Sequence, residues 1–252
     1  MTIRTFVYLA AVASLFAVVA SAHAEDVSIF QATLAETGQK SGEVSTEQMR
    51  RILADGSAIV LDTRTRAEFD AGHIPDARIL DVAPGAQVAA VLQLVSGDKA
   101  KALVLYCNGP YCRASRRLAD RLIGVGFGNV RRYQLGIPVW RALGGPTAVE
   151  LSGFMRVFGH DKTAVFFDAR SADEFAKGSL PDAQSAPVED VISGKLKKMA
   201  LPEDDFNRRI VLFGRDATQG RQLAEVLSKR PWHNVAYFAG TYEALAAAVR
   251  AK

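Results

Sequence analysis

The chain has 252 residues, 49% of them hydrophobic and 23% charged, a globular composition with length for one large or two small domains. Its net charge of +4 comes without a Lys/Arg block or interleaved aromatics, which weighs against nucleic-acid binding and leaves only a general field favouring anionic substrates. Four histidines and two cysteines show no ligand spacing for zinc, and no glycine-rich dinucleotide or phosphate loop is present, so neither a metal nor a cofactor is expected.

Arg4, the apolar run Phe6 to Ala20 broken only by Ser14, and the small-x-small triplet Ala22-His23-Ala24 predict a secretory signal peptide over residues 1–24. The run is short for a full span, which argues against an uncleaved anchor and leaves no membrane attachment after cleavage. Its alanine-rich style points to the periplasm. Residues 25–42 have no clear period and are expected to form a leader on the domain surface.

Ser45 as N-cap and Gln48 at N3 form a capping box, followed by a buried stripe of Met49, Ile52 and Leu53 and a stop at Gly56. Ala58 to Leu61 is a predicted strand ending at Asp62, Ala67 to Ala71 a short helix, and His73-Ile74-Pro75-Asp76 a turn. Val88, Val91, Leu92 and Val95 have helical spacing, and Leu103 to Tyr106 is the next strand. Ala114, Leu118, Leu122 and Val125 mark another helix, Val130 to Tyr133 a strand, and Gly136 to Leu143 a last helix. This alternation predicts α/β architecture, a parallel sheet flanked by helices.

The most informative stretch is Tyr106-Cys107-Asn108-Gly109-Pro110-Tyr111-Cys112-Arg113, which holds both cysteines. A cysteine at the end of a parallel strand, in a tight loop feeding a helix N-terminus, sits where backbone N–H groups converge. Such a place stabilises a thiolate and binds an anion. An oxidising compartment permits a disulfide, but a bridge between cysteines five positions apart closes only a short ring and adds little stability. The placement favours chemistry over scaffolding.

The chain also repeats itself. Asp62-Thr63-Arg64-Thr65-Arg66-Ala67-Glu68-Phe69 matches Asp168-Ala169-Arg170-Ser171-Ala172-Asp173-Glu174-Phe175 at an offset of 106 (168 minus 62), and the match continues through Gly72/Gly178, Pro75/Pro181 and Asp76/Asp182. Two copies of one α/β unit are expected, over residues 43–147 and 148–252, parted near Gly144-Gly145-Pro146. Where the first copy has Cys107 the second has Gly214. The second copy therefore cannot do thiolate chemistry; it is expected to pack on the first and to wall one side of the active cleft.

These residues resemble a tandem rhodanese. The resemblance is carried by Leu61-Asp62-Thr63-Arg64 with Glu68-Phe69, by Gly72-His73-Ile74-Pro75-Asp76-Ala77, by Cys107 after its strand, and by Gly136-Ile137-Pro138-Val139-Trp140-Arg141-Ala142-Leu143-Gly144-Gly145. It covers nearly the whole predicted mature chain, twice. It implies two rhodanese-like domains and a sulfurtransferase that moves sulfane sulfur from a small anionic donor such as thiosulfate to a thiol or dithiol acceptor, a protein among the candidates, through a Cys107 persulfide. The pattern departs from the family in two ways. Tandem members usually carry the cysteine in the C-terminal copy. The stretch from Cys107 to Arg113 is seven residues long, which resembles the phosphatases built on this fold.

Cys107 is thus the candidate nucleophile. Asn108, Gly109, Tyr111 and Cys112 would offer backbone N–H donors to the substrate; Pro110 cannot. Arg113 is a candidate anion clamp, because its fork can pair two oxygens of thiosulfate or phosphate. Cys112 is either a resolving thiol or a small side chain supporting the loop. Asp62 and Arg64 read as a structural ion pair, since the second copy keeps Asp168 and Arg170 without the thiol. His73 reads as a fold feature rather than a base, because its counterpart is Ser179. Three other readings stay open: a phosphatase or arsenate-type reductase using Cys107 and Arg113, a non-enzymatic sulfur carrier or partner-binding module, and a dithiol oxidoreductase using both cysteines.

Overall fold

The computed structural model describes residues 40–195 and 199–251. The predicted signal peptide and residues 25–39 of the predicted leader lie outside the described residues. Two five-stranded, all-parallel sheets follow one another along the chain, with helices on both faces of each.

The first sheet has strand order β1-β5-β4-β2-β3, formed by β1 (Gly42–Glu43), β2 (Ile59–Asp62), β3 (Arg78–Ile79), β4 (Leu103–Tyr106) and β5 (Val130–Tyr133). Its helices are α1 (Thr46–Asp55), α2 (Arg66–Ala71), α3 (Gln87–Leu94), α4 (Arg113–Gly124) and α5 (Gly136–Ala142). The second sheet repeats the order as β6-β10-β9-β7-β8, from β6 (Thr147–Val149), β7 (Val165–Asp168), β8 (Gln184–Ser185), β9 (Ile210–Phe213) and β10 (Val235–Phe238). Around it lie α6 (Leu151–His160), α7 (Ala172–Ala176), α8 (Val188–Ile192), α9 (Ala217–Leu227) and α10 (Tyr242–Arg250). Gly42, at the end of the predicted leader, already pairs with Arg131 of β5, and β6 takes in Thr147, one residue ahead of the predicted boundary.

The central strand shows why a parallel sheet forms. All four β4 residues are buried. Val104 and Tyr106 pack into the cluster with Met49, Ile52 and Trp140; Leu103 and Leu105 face the opposite cluster with Leu118 and Leu122. A strand covered on both faces reads as an unbroken apolar run. Truncating a fully buried member such as Leu118 to Ala costs about 2–5 kcal/mol. The buried stripe of α4 is Ser115, Leu118, Ala119 and Leu122. Val125, expected in that stripe, is instead the C-cap and is exposed, because the chain turns away through Gly126 at φ 95°.

The two domains belong to one compact unit. They join through His73 and Ala148, whose main chains exchange two N–H···O bonds of 2.9 Å. The Glu150 N–H donates to Asp70 O, and Arg221 Nη1 reaches Asp76 Oδ2 at 2.6 Å. Gly153 lets α6 come close, since a Cβ there would lie 1.9 Å from Asp70 O.

Candidate active site

Cys107 follows β4 directly and is buried. The end of the strand is fixed from below by Thr63, whose N–H and Oγ1 both donate to Tyr106 O. From the other side the Ile137 N–H donates to Cys107 O at 3.1 Å. Gly109 turns the loop with φ 104°, and the Cys112 N–H closes it on Gly109 O at 3.0 Å. That closure occupies an amide expected to face the substrate. Gly136, at φ 65°, lies so near the loop that a Cβ would fall 2.3 Å from Gly109 N and 2.4 Å from Cys107 O.

Cys112 is the N-cap of the twelve-residue α4 and makes no side-chain cap bond. The helix N-terminus therefore delivers its dipole and unpaired amides to the loop. Cys107 and Cys112 are joined in a disulfide, with Cα atoms 6.1 Å apart, and no described cysteine is free. The structure thus holds the oxidised pair.

A cleft of about 540 Å³ opens over the loop, lined among others by Thr63, Arg64, Arg66, Glu68, Cys107, Asn108 and Cys112. Every lining residue belongs to the first domain. The second domain packs on the first at His73 and Asp70, and none of its residues lines this cleft, contrary to the expectation. Tyr111 is 98% exposed. Arg113, the first residue of α4, is exposed and is not among the cleft-lining residues, nor are Gly109 and Tyr111.

Asp62 and Arg64 sit behind the cleft. The carboxylate accepts from Arg64 Nη2 at 2.6 Å, from the Arg64 N–H at 2.9 Å and from the Tyr106 hydroxyl at 2.6 Å, while Arg64 Nη2 also donates to Gly72 O. Burial alone would lower the Arg64 pKa, but the Asp62 hydrogen bonds and charge turn the net shift upward, so the guanidinium stays charged. Burial, with the Asp62 charge beside it, lifts the Tyr106 hydroxyl well above its ordinary value and keeps it a donor.

Two contributors were missed in the sequence. Glu68 completes a capping box with Thr65 and accepts from Asn108 Nδ2, tying the cysteine loop to α2. The Thr65-x-x-Glu68 spacing carried that signal. Burial would raise the Glu68 pKa; the bonds from Thr65 and Asn108 outweigh it and the net shift is downward. Arg66 lines the cleft as a half-exposed cation, shared with Asp70 at 2.8 Å.

His73 is buried away from the cleft. It stacks on Phe69 at 3.7 Å, its Nδ1 bonds Phe69 O, and burial pulls its pKa down to about 4. Among the described residues no cluster of three or more His, Cys, Asp or Glu is arranged to hold a metal ion, and no described helix is long and apolar enough to cross a membrane.

The model of the rhodanese-like domain matches residues 45–143 and again residues 157–248. The chain belongs to the rhodanese-like domain family. Among curated proteins, the chain is 33% identical over 138 residues to an HTH-type transcriptional regulator of Mycobacterium tuberculosis; the match spans 54% of this chain and 58% of that relative. Among solved structures, this rhodanese-like protein is similar to thiosulfate sulfurtransferase from Pseudomonas aeruginosa (20% identity, TM-score 0.33, 81% of this chain and 44% of that one). It is also similar to the 3-mercaptopyruvate sulfotransferase SseA from Escherichia coli (18% identity, TM-score 0.36, 80% and 99%). The family assignment rests on the two domain matches.

Proposed function

We propose that the protein is an exported, periplasmic sulfurtransferase whose N-terminal domain carries sulfane sulfur on Cys107, with the thiol-free C-terminal domain catalytically inert. The observation that carries this reading is the position of Cys107: buried at the end of β4, under an uncapped helix N-terminus, in one of two otherwise matching rhodanese-like domains.

The Cys107–Cys112 disulfide must first be reduced by an external dithiol, which takes the two sulfurs to thiols and is itself oxidised to a disulfide. The α4 N-terminus then favours the Cys107 thiolate. The thiolate attacks the outer sulfur of thiosulfate; the sulfur–sulfur bond of the donor breaks, sulfite leaves with the electron pair, and Cys107 becomes a persulfide. An acceptor thiolate attacks the outer persulfide sulfur, leaving a new persulfide on the acceptor and regenerating the Cys107 thiolate. Amides of Asn108, Gly109 and Tyr111 serve the anionic donor, with Arg113 as its anion clamp. If Cys112 attacks the persulfide instead, the disulfide re-forms and hydrogen sulfide leaves, so Cys112 acts as a resolving thiol.

The chemistry near the loop favours sulfur over phosphate transfer. Sulfite departs without a proton, whereas a phosphoester leaving group needs a general acid. Glu68, the carboxyl tied to the loop, is held below its usual pKa and is a poor acid. Reduced protein given thiosulfate and a dithiol acceptor should release sulfite; turnover of an aryl phosphate or arsenate without sulfite release would establish the phosphatase-like alternative. Export is checked by an N-terminus at Glu25 in the periplasmic fraction.

A further inference from the structure

The two domains bury matching residues to different extents, and the difference falls on one face. In the first domain Phe69, Gly72, His73 and Pro75 are all buried. Their counterparts Phe175, Gly178, Ser179 and Pro181 are half-buried or exposed. The cover on the first domain is a stretch of the chain itself: Thr147-Ala148-Val149-Glu150 lies against it, with Ala148 exchanging both main-chain bonds with His73. Ser179, at the same place in the second domain, has no backbone partner among the described residues.

In place of that segment the second domain has a cleft of about 650 Å³, lined by Gly178, Ser179, Leu180 and Tyr242 and by the charged residues Lys177, Arg250, Arg170, which is paired with Asp168, and Glu174, which is paired with Arg215. Neither Lys177 nor Arg250 forms an ion pair among the described residues, and both are exposed. Joining of the domains is therefore head-to-tail: a socket on the first domain is filled by a plug on the second, and the second domain's own socket is left open. A second copy of the chain does not supply the missing plug through its first domain. There Gln48 of α1 stands where α6 has Gly153, and Gly153 is what allows contact with Asp70 O. The socket has changed in step, with Ala176 replacing Asp70.

We propose that this open socket binds an extended, acidic segment of a partner protein, which adds as a short strand to the main chain of Ser179 and places its carboxylates against Lys177 and Arg250. The geometry repeats what the first domain already does with residues 147–150, and the charge of the rim selects acidic sequences. This docking face is separate from the Cys107 cleft and stands whether or not the protein transfers sulfur.

The experiment uses the full mature chain, labelled with ¹⁵N, and a synthetic peptide Pro-Thr-Ala-Val-Glu-Glu, the chain's own plug with one acid added. Saturable shifts of the Gly178, Ser179 and Leu180 amides are expected. Affinity should fall at least fivefold in Lys177→Glu/Arg250→Glu and fall again when salt is raised. A peptide N-methylated at its Ala, which cannot donate to the Ser179 carbonyl as Ala148 donates to His73 O, should lose binding with the protein itself left unaltered. Absence of shifts at these amides with millimolar peptide overturns the proposal. So does concentration-dependent self-association that protects the same amides, because the occupant would then be a second copy.

Discussion

Tyr106 and Asp62 stand opposite each other at the ends of β4 and β2, and the Tyr106 hydroxyl donates to Asp62 Oδ2 at 2.6 Å. The second domain keeps the carboxylate as Asp168 but pairs it with Phe213, which has no hydroxyl. Ser179, the counterpart of His73, supplies the bond instead, at 2.6 Å from Asp168 Oδ2. Two substitutions between the copies thus cancel, and the buried carboxylate stays satisfied in both.

Tyr106→Phe should destabilise the protein by about 1–3 kcal/mol, because the Asp62 lone pair loses a charge-assisted bond in a buried place. His73→Ser places a hydroxyl where Ser179 has one. In a double-mutant cycle by urea unfolding, Tyr106→Phe/His73→Ser should cost less than the sum of the single changes by about 1 kcal/mol. Strict additivity would show that the two positions do not share the carboxylate.

Gly136→Ala should damage the site more than the fold. A Cβ at φ 65° meets Gly109 N and Cys107 O at contact distances that only a displaced loop relieves. Destabilisation of about 1–3 kcal/mol is expected from this overpacking, together with a loss of sulfur uptake well beyond what the unfolded fraction explains. Unfolding curves and sulfite release on the same preparation separate the two effects.

His73 makes stability depend on pH. Its pKa is about 4 in the folded protein, below the ordinary 6.5, because burial opposes the charged ring. The unfolded chain binds the proton more readily between those values, so this contribution is fully present above pH 6.5 and is lost as pH falls toward 4. The total is up to about 3 kcal/mol. His73→Phe should flatten the stability profile over that window, and the ring resonances of His73 should stay those of the neutral form down to about pH 5. A profile equally steep in the variant would assign the acid sensitivity elsewhere.

Cys112 decides the fate of the persulfide. In Cys112→Ser the disulfide cannot form, so the protein should accept sulfur without prior reduction, and the persulfide should outlast that of the reduced wild type. Equal lifetimes by mass spectrometry would leave Cys112 as a supporting side chain of the loop.

Local features of the fold were legible in the sequence. Leu103–Tyr106 was read to the residue, because a strand covered on both faces is uniformly apolar. The Ser45–Gln48 box and the Gly56 stop hold because capping is decided within four residues. What escaped depends on distant contacts. The Tyr106–Asp62 bond needs the β2–β4 register, and the burial of His73 needs Ala148 from the other domain. The second domain's expected place beside the cleft failed for the same reason: a repeat in sequence does not say which faces of the copies meet. The cleft lining by Arg66 and Glu68 of α2 likewise depends on how that helix stands against the cysteine loop, which loop spacing does not carry.

The central claim is that Cys107 carries sulfane sulfur. Protein reduced and freed of reductant, incubated with thiosulfate and analysed by intact and peptide mass spectrometry, should gain one sulfur atom on Cys107, and Cys107→Ala should gain none. Absence of the adduct with thiosulfate and with every other sulfane donor tried, in protein whose thiols titrate as free, would contradict the account.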